Sequence, residues 1–155
     1  MVRFESTTVE AISVSNQKGI PKSNVETARF VAGWGIEGDA HAGKWHRQVS
    51  ILAMESVERM RELGAEVSAG NFAENLTTRG LDVTGLKIGD RLRIGEVELE
   101  ITQIGKECHS HCAIYDKIGD CVMPREGVFA RVIAGGTVSV GMTVEFLKGE
   151  PARTE

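Results

Sequence analysis

All three cysteines of this chain and two of its four histidines fall between residues 108 and 121. Cys108, His109, His111 and Cys112 form the run "CHSHC", and Cys121 follows nine positions later. Three kinds of chemistry compete for such a set: a disulfide clasp, a metal site and a reactive thiol beside a pocket. An odd number of cysteines argues against a disulfide framework. Cysteine and histidine are the preferred ligands of zinc, so Cys108, Cys112, Cys121, His109 and His111 form a candidate zinc set. Their spacing matches none of the paired zinc patterns. A reactive thiol is favoured at Cys108: Lys106 lies two residues before it, and a cation or a helix N-terminus stabilises the thiolate, the reactive and ligating form. A small buried apolar role for any of the three cysteines also stays open.

A second dense set of polar groups lies in "GIEGDAHAGKWHRQVS", with Gly38, Asp39, His41, Lys44, His46, Arg47 and Gln48. Arg47 and Lys44 suit an oxyanion. His41 and His46 could bind one or carry a proton. The glycines let backbone approach a ligand, but they match neither the Walker A pattern nor G-x-G-x-x-G. The alternative is a loop pinned by Trp34 and Trp45 with solvated charges. Asn75 and Thr77 in "NFAENLTTRG" are further polar candidates, with turn capping as their other reading.

These residues need a scaffold, and the rest of the sequence describes one. Eighteen glycines against three prolines, in 155 residues, imply many tight turns. Alternating or short apolar runs at 9–15, 26–32 and 49–53 read as strands. "RLRI" and "VELEIT" flank a turn at Gly95-Glu96 and read as a hairpin, and "GVFARVI", "TVSV" and "TVEFL" repeat the style. Residues 54–64 read as a helix with Met54, Val57, Met60 and Leu63 on one face and Gly64 as its stop. Eight or nine strands with one or two helices imply a mainly β, closed or partly closed barrel in one domain, residues 1–155.

Net charge is −4, which offers no basic field for nucleic acid. No apolar run has the length of a membrane span, and residues 1–15 lack the features of a signal peptide. A cytoplasmic location with reduced thiols is the expectation.

In order along the chain, Gly38-Asp39-x-His41, Arg47-Gln48-Val49-Ser50, Asn71-Phe72-x-Glu74-Asn75-Leu76-Thr77, Gly89-Asp90-Arg91, "LEITQIGKEC" and "EGVFARVIAGGTVSVGMTV" resemble the MOSC family, over about residues 8–147. The family's namesakes are the C-terminal domains of molybdenum-cofactor sulfurases. The likeness is to the short, stand-alone prokaryotic kind, without the pyridoxal-phosphate-binding domain, so no pyridoxal phosphate is expected in this chain. The resemblance implies a barrel of the pyruvate-kinase insert type. It implies molybdenum cofactor (molybdopterin) as ligand, held by Gly38, Asp39, His41, His46, Arg47, Gln48, Asn75 and Thr77. It also implies that Cys108, after Thr102-Gln103, acts as persulfide carrier or molybdenum ligand. A sulfur-donor or cofactor-assembly protein would be the partner. Two alternatives remain: a molybdenum-dependent reductase of N-hydroxylated compounds, and a zinc-stabilised, non-catalytic partner-binding module.

Overall fold

The computed structural model describes residues 7–17, 22–81, 85–105 and 126–148. Lys106, Cys108, His109, His111, Cys112 and Cys121 lie outside the described residues. Among the described residues stand eleven strands and one helix. They are β1 (Thr8–Val14), β2 (Ser23–Val25), β3 (Thr27–Val31), β4 (Gly35–Ile36), β5 (Val49–Ala53), α1 (Met54–Glu62) and β6 (Leu76–Arg79). There follow β7 (Arg91–Ile94), β8 (Val97–Ile104), β9 (Val128–Ala134), β10 (Gly136–Ser139) and β11 (Glu145–Leu147). The expected run 9–15 is β1, and the expected hairpin is β7–β8, with Ile94 opposite Val97 across the Gly95-Glu96 turn. The two strands beyond the expected number, β2 and β4, are three and two residues long, too short to show a period of two.

Eight strands form one sheet in the order β11-β7-β8-β9-β5-β6-β1-β2. That sheet curls until its two sides meet. Thr8 of β1 bridges Thr143, with hydrogen bonds from Val9 N to Met142 O (2.9 Å), Gly141 N to Val9 O (2.8 Å) and Val144 N to Thr7 O (2.9 Å). The result is a partly closed β-barrel. Its interior is filled by the inward residues of each strand, including Ile12, Ile51, Leu76, Leu92, Leu99, Ile101 and Val132. Each such side chain, fully buried, contributes roughly 1.5–3 kcal/mol. The second sheet, β10-β3-β4, turns Phe30, Ile36 and Val138 into the same core.

Helix α1 covers the outside of the barrel. Met54, Val57 and Met60 pack with Leu52, Phe72 and Phe129 in a second apolar cluster. This explains why all five residues of β5 are buried: one face looks into the barrel and the other under the helix. α1 also carries the chain between β5 and β6, which pair in parallel; such a pair requires a crossover. Gly64 ends the helix with φ 99° and its N–H donates to Arg61 O at 3.0 Å. Leu63 departs from the expected stripe. It is the C-cap, where the helical path stops, and it is 57% exposed. No helix among the described residues is long and apolar enough to cross a membrane.

Candidate functional site

The glycine-rich segment between β4 and β5 is fastened at its start by Asp39. The carboxylate is buried. Its Oδ1 accepts from Lys22 Nζ at 2.7 Å and from Ser15 N–H at 3.1 Å. Its Oδ2 accepts from His41 N–H at 3.0 Å. Lys22 is itself buried, with no exposed side-chain surface. Burial pushes the Asp39 carboxyl up, but the His41 ring, the Lys22 ammonium and the N–H groups of Ser15 and His41 outweigh it and hold it well below the usual carboxylate range. A carboxylate with a depressed native pKa contributes stability above its unfolded value of about 3.9, and that stability is lost as pH falls further. Acid unfolding of the wild type and Asp39→Asn should therefore converge: the stability gap, widest above about pH 5, narrows toward pH 2. A gap independent of pH would show that the charge of Asp39 contributes nothing.

At its far end the same segment is fastened to β8 and β9. Gln48 Nε2 donates to Gly43 O and its Oε1 accepts from Val132 N–H, both at 2.9 Å. Gly35 allows the close return: a Cβ there would sit 2.9 Å from Gln48 O. Gln103 near the end of β8 then collects two side chains on one oxygen. Its Oε1 accepts from Arg47 Nε at 2.9 Å and faces His46 Nε2 at 2.9 Å. Its Nε2 donates to Gly105 O at 2.8 Å. The Thr102 hydroxyl donates to His46 O. The Arg47 guanidinium lies over the Phe129 ring, 5.2 Å from its centroid. Its Nε is engaged, but Nη1 and Nη2 have no partner among the described residues. A guanidinium fixed by its Nε and stacked on an aromatic ring, with its fork open, is prepared for an oxyanion.

An open cleft of about 600 Å³ is lined by Lys44, Trp45, His46, Gln48, Glu100, Thr102 and Arg131; Arg47 and His41 are not part of its lining. Arg131 is paired with Glu100 at 2.7 Å, whereas Lys44 has no hydrogen-bond or ion-pair partner among the described residues. Gly38 turns with φ 83° at the start of the segment, with open space around it.

Asn75 and Thr77 are placed differently from His46 and Arg47. Both are fully buried. Asn75 Oδ1 accepts from Ser50 N–H at 2.9 Å and its Nδ2 donates to Ser13 O at 3.1 Å, so it ties β1 to β5. Thr77 Oγ1 donates to Glu74 at 3.0 Å. Glu74, which the sequence reading passed over as a ligand group, also collects the N–H groups of Gly70 (2.9 Å) and Phe72 (3.1 Å). Burial raises its carboxyl pKa despite these bonds. The "NFAEN" stretch is thus a self-bonded turn in the barrel wall. No group of three or more His, Cys, Asp or Glu that could hold a metal exists among the described residues; the candidate zinc ligands lie outside them.

The MOSC domain family model matches residues 38–145, from the start of the anchored segment to the first residue of β11. This chain belongs to the MOSC domain family. Curated proteins provide no match. Among solved structures, the fold is similar to that of the YuaD protein of Bacillus subtilis, with TM-score 0.77, 19% identity and coverage of 93% of this chain and 97% of that one. It is also similar to YiiM from Escherichia coli (TM-score 0.66, 21% identity, 99% and 74% covered). A third is YiiM from Geobacillus stearothermophilus (0.67, 19%, 92% and 75%). The MOSC family is associated with molybdenum cofactor binding.

In this MOSC domain the site contains residues the sequence did not single out. Lys22 lay in a stretch read as loop, and no pattern announces a lysine that will be buried. Gln103 was legible as part of a strand end but not as the group that joins His46, Arg47 and Gly105. Gly105 N–H donates to Gly127 O at 2.6 Å, so the chain leaves β8 and returns toward β9 at one point, next to Gln103.

Proposed function

We propose that this MOSC domain binds molybdenum cofactor in the cell's cytoplasm. In this reading Arg47 and Lys44 take its phosphate, His46 lines the cleft with Lys44, and Cys108 presents its sulfur as persulfide carrier or molybdenum ligand. The supporting observation is the Gln103 junction, which holds the open guanidinium fork of Arg47 beside the point where the chain departs toward Cys108. Cys108 is the third residue after Gly105, a reach of at most about 11 Å. The donor set fits the group: among the described residues, Nη1 and Nη2 of Arg47 and the Lys44 ammonium have no partner, and such cationic donors suit a phosphate. When bound, the cofactor would supply a molybdenum centre that exchanges sulfur or oxygen ligands. The chain's part is to orient the phosphate on the Phe129-backed guanidinium and to keep a thiolate available, which nearby cations favour. Asp39 and Gln48 hold the segment that carries these donors, and Asn75 and Thr77 support the wall behind it. A sulfur-donor or cofactor-assembly protein would deliver or remove the load.

The test is purification under reducing, anaerobic conditions with molybdopterin available, followed by assay of bound molybdenum and pterin and by native mass spectrometry. Loss of one charge-assisted contact in Arg47→Ala should weaken pterin retention about 10–100-fold. Cys108→Ser should keep pterin but lose molybdenum or the persulfide mass increment. Equal molybdenum, pterin and mass in wild type and both variants would refute the reading.

A further inference from the structure

The His41 ring is held by its surroundings. It stacks on Trp45 with centroids 6.5 Å apart and planes 9° from parallel, and the Trp45 indole N–H donates to His41 O at 2.7 Å. Its Nδ1 is buried without a hydrogen-bond partner among the described residues and faces Asp39 Oδ2 at 3.7 Å. That is an electrostatic approach rather than a hydrogen bond, and one that a small tilt of the ring would close, as site contacts often do when a ligand arrives. A carboxylate only accepts, so the proton belongs on Nδ1. In a neutral imidazole the lone pair then sits on Nε2. Lys22, 2.7 Å from the other carboxylate oxygen, offsets the charge of Asp39, and the carboxylate orients the ring. His46 is arranged the other way: its Nε2 faces the Gln103 carbonyl oxygen, which makes Nε2 the protonated nitrogen. One loop thus carries its two histidines in opposite tautomers.

We propose that His41 is the site's hydrogen-bond acceptor, with Asp39 and Lys22 as its positioning residues, and that it meets an N–H or O–H donor of the ligand rather than an oxyanion. This rests on the loop being the ligand site. It divides the recognition: Arg47 and Lys44 take the anionic end, and His41 takes a ring N–H, amine or hydroxyl. Among the described residues the ring faces Asp39, which is backed by Lys22, and His46 lies across Trp45.

The full chain labelled with 15N-histidine, free of cofactor and near pH 8, decides the matter through long-range 1H–15N spectra. The expected result is a proton on Nδ1 and a lone-pair shift on Nε2 for His41, with the reverse for His46. In Asp39→Asn the His41 pattern should move toward the Nε2–H form. Should that variant not fold, the wild-type spectrum suffices. Inorganic phosphate should leave the neutral His41 pattern intact. An Nε2–H pattern for His41 in the wild type, or its conversion to imidazolium on phosphate addition, overturns the proposal. Because no cofactor is present, this outcome is independent of whether Cys108 carries sulfur or molybdenum.

Discussion

Asp39→Ala is expected to lower the stability of this protein by about 3–5 kcal/mol. The cause is the partner left behind. Lys22 has no exposed side-chain surface and its ammonium sits 2.7 Å from the carboxylate; without Asp39 it becomes a buried, uncompensated charge. The Ser15 and His41 N–H groups lose an acceptor as well. In a domain of this size such a loss lowers Tm by on the order of 10 °C. Lys22→Met combined with Asp39→Leu should be milder than either single change, because it removes both charges together. Urea or thermal unfolding measures all of these. If Asp39→Ala costs under about 1 kcal/mol, the pair is not the anchor that its burial indicates.

The second large effect is expected from Gly70→Ala, at about 2–5 kcal/mol. Gly70 has φ 94°, and a Cβ built on it would lie 2.6 Å from Lys22 O and 2.9 Å from Ser13 Oγ. The penalty has two parts. A left-handed backbone strains an alanine, and the contact is against backbone that cannot rotate away. Relief requires the segment at Lys22 to shift, which pulls Lys22 from Asp39. The two changes should therefore be non-additive: Gly70→Ala in an Asp39→Ala background ought to cost less than in the wild type. Chemical denaturation of the four proteins of that cycle checks it, and strict additivity would mean that the turn and the buried pair are independent.

The hairpin β7–β8 was legible because one face of it is buried, so its residues alternate, and the turn glycine stands at the right place. Helix α1 was legible in Met54, Val57 and Met60. Leu63 was misread because the stripe rule does not know where the helix stops. In the candidate site, chemistry was readable only as inventory. A sequence lists Asp39, Arg47, Gln48, Asn75 and Thr77 alike as polar groups. Which of them keep hydrogen-bonding capacity for a ligand depends on partners far away in the chain: Lys22 for Asp39, Val132 for Gln48, Ser13 for Asn75 and Gln103 for Arg47. Those pairings are set by strand register, which no local pattern encodes.

The contact of Thr8 with Thr143 has a kinetic side. Ring closure joins residues nearly the whole described chain apart, so its entropic toll comes before any reward, and contacts of that kind form late. Until they form, the chain at the start of β1, at Thr7 and Val9, and the approach to β11, from Gly141 to Val144, present unpaired N–H and C=O groups to each other's side, onto which another molecule in the same state could zip. Refolding yield should therefore fall as protein concentration rises, with the vulnerable interval ending when the two threonines meet.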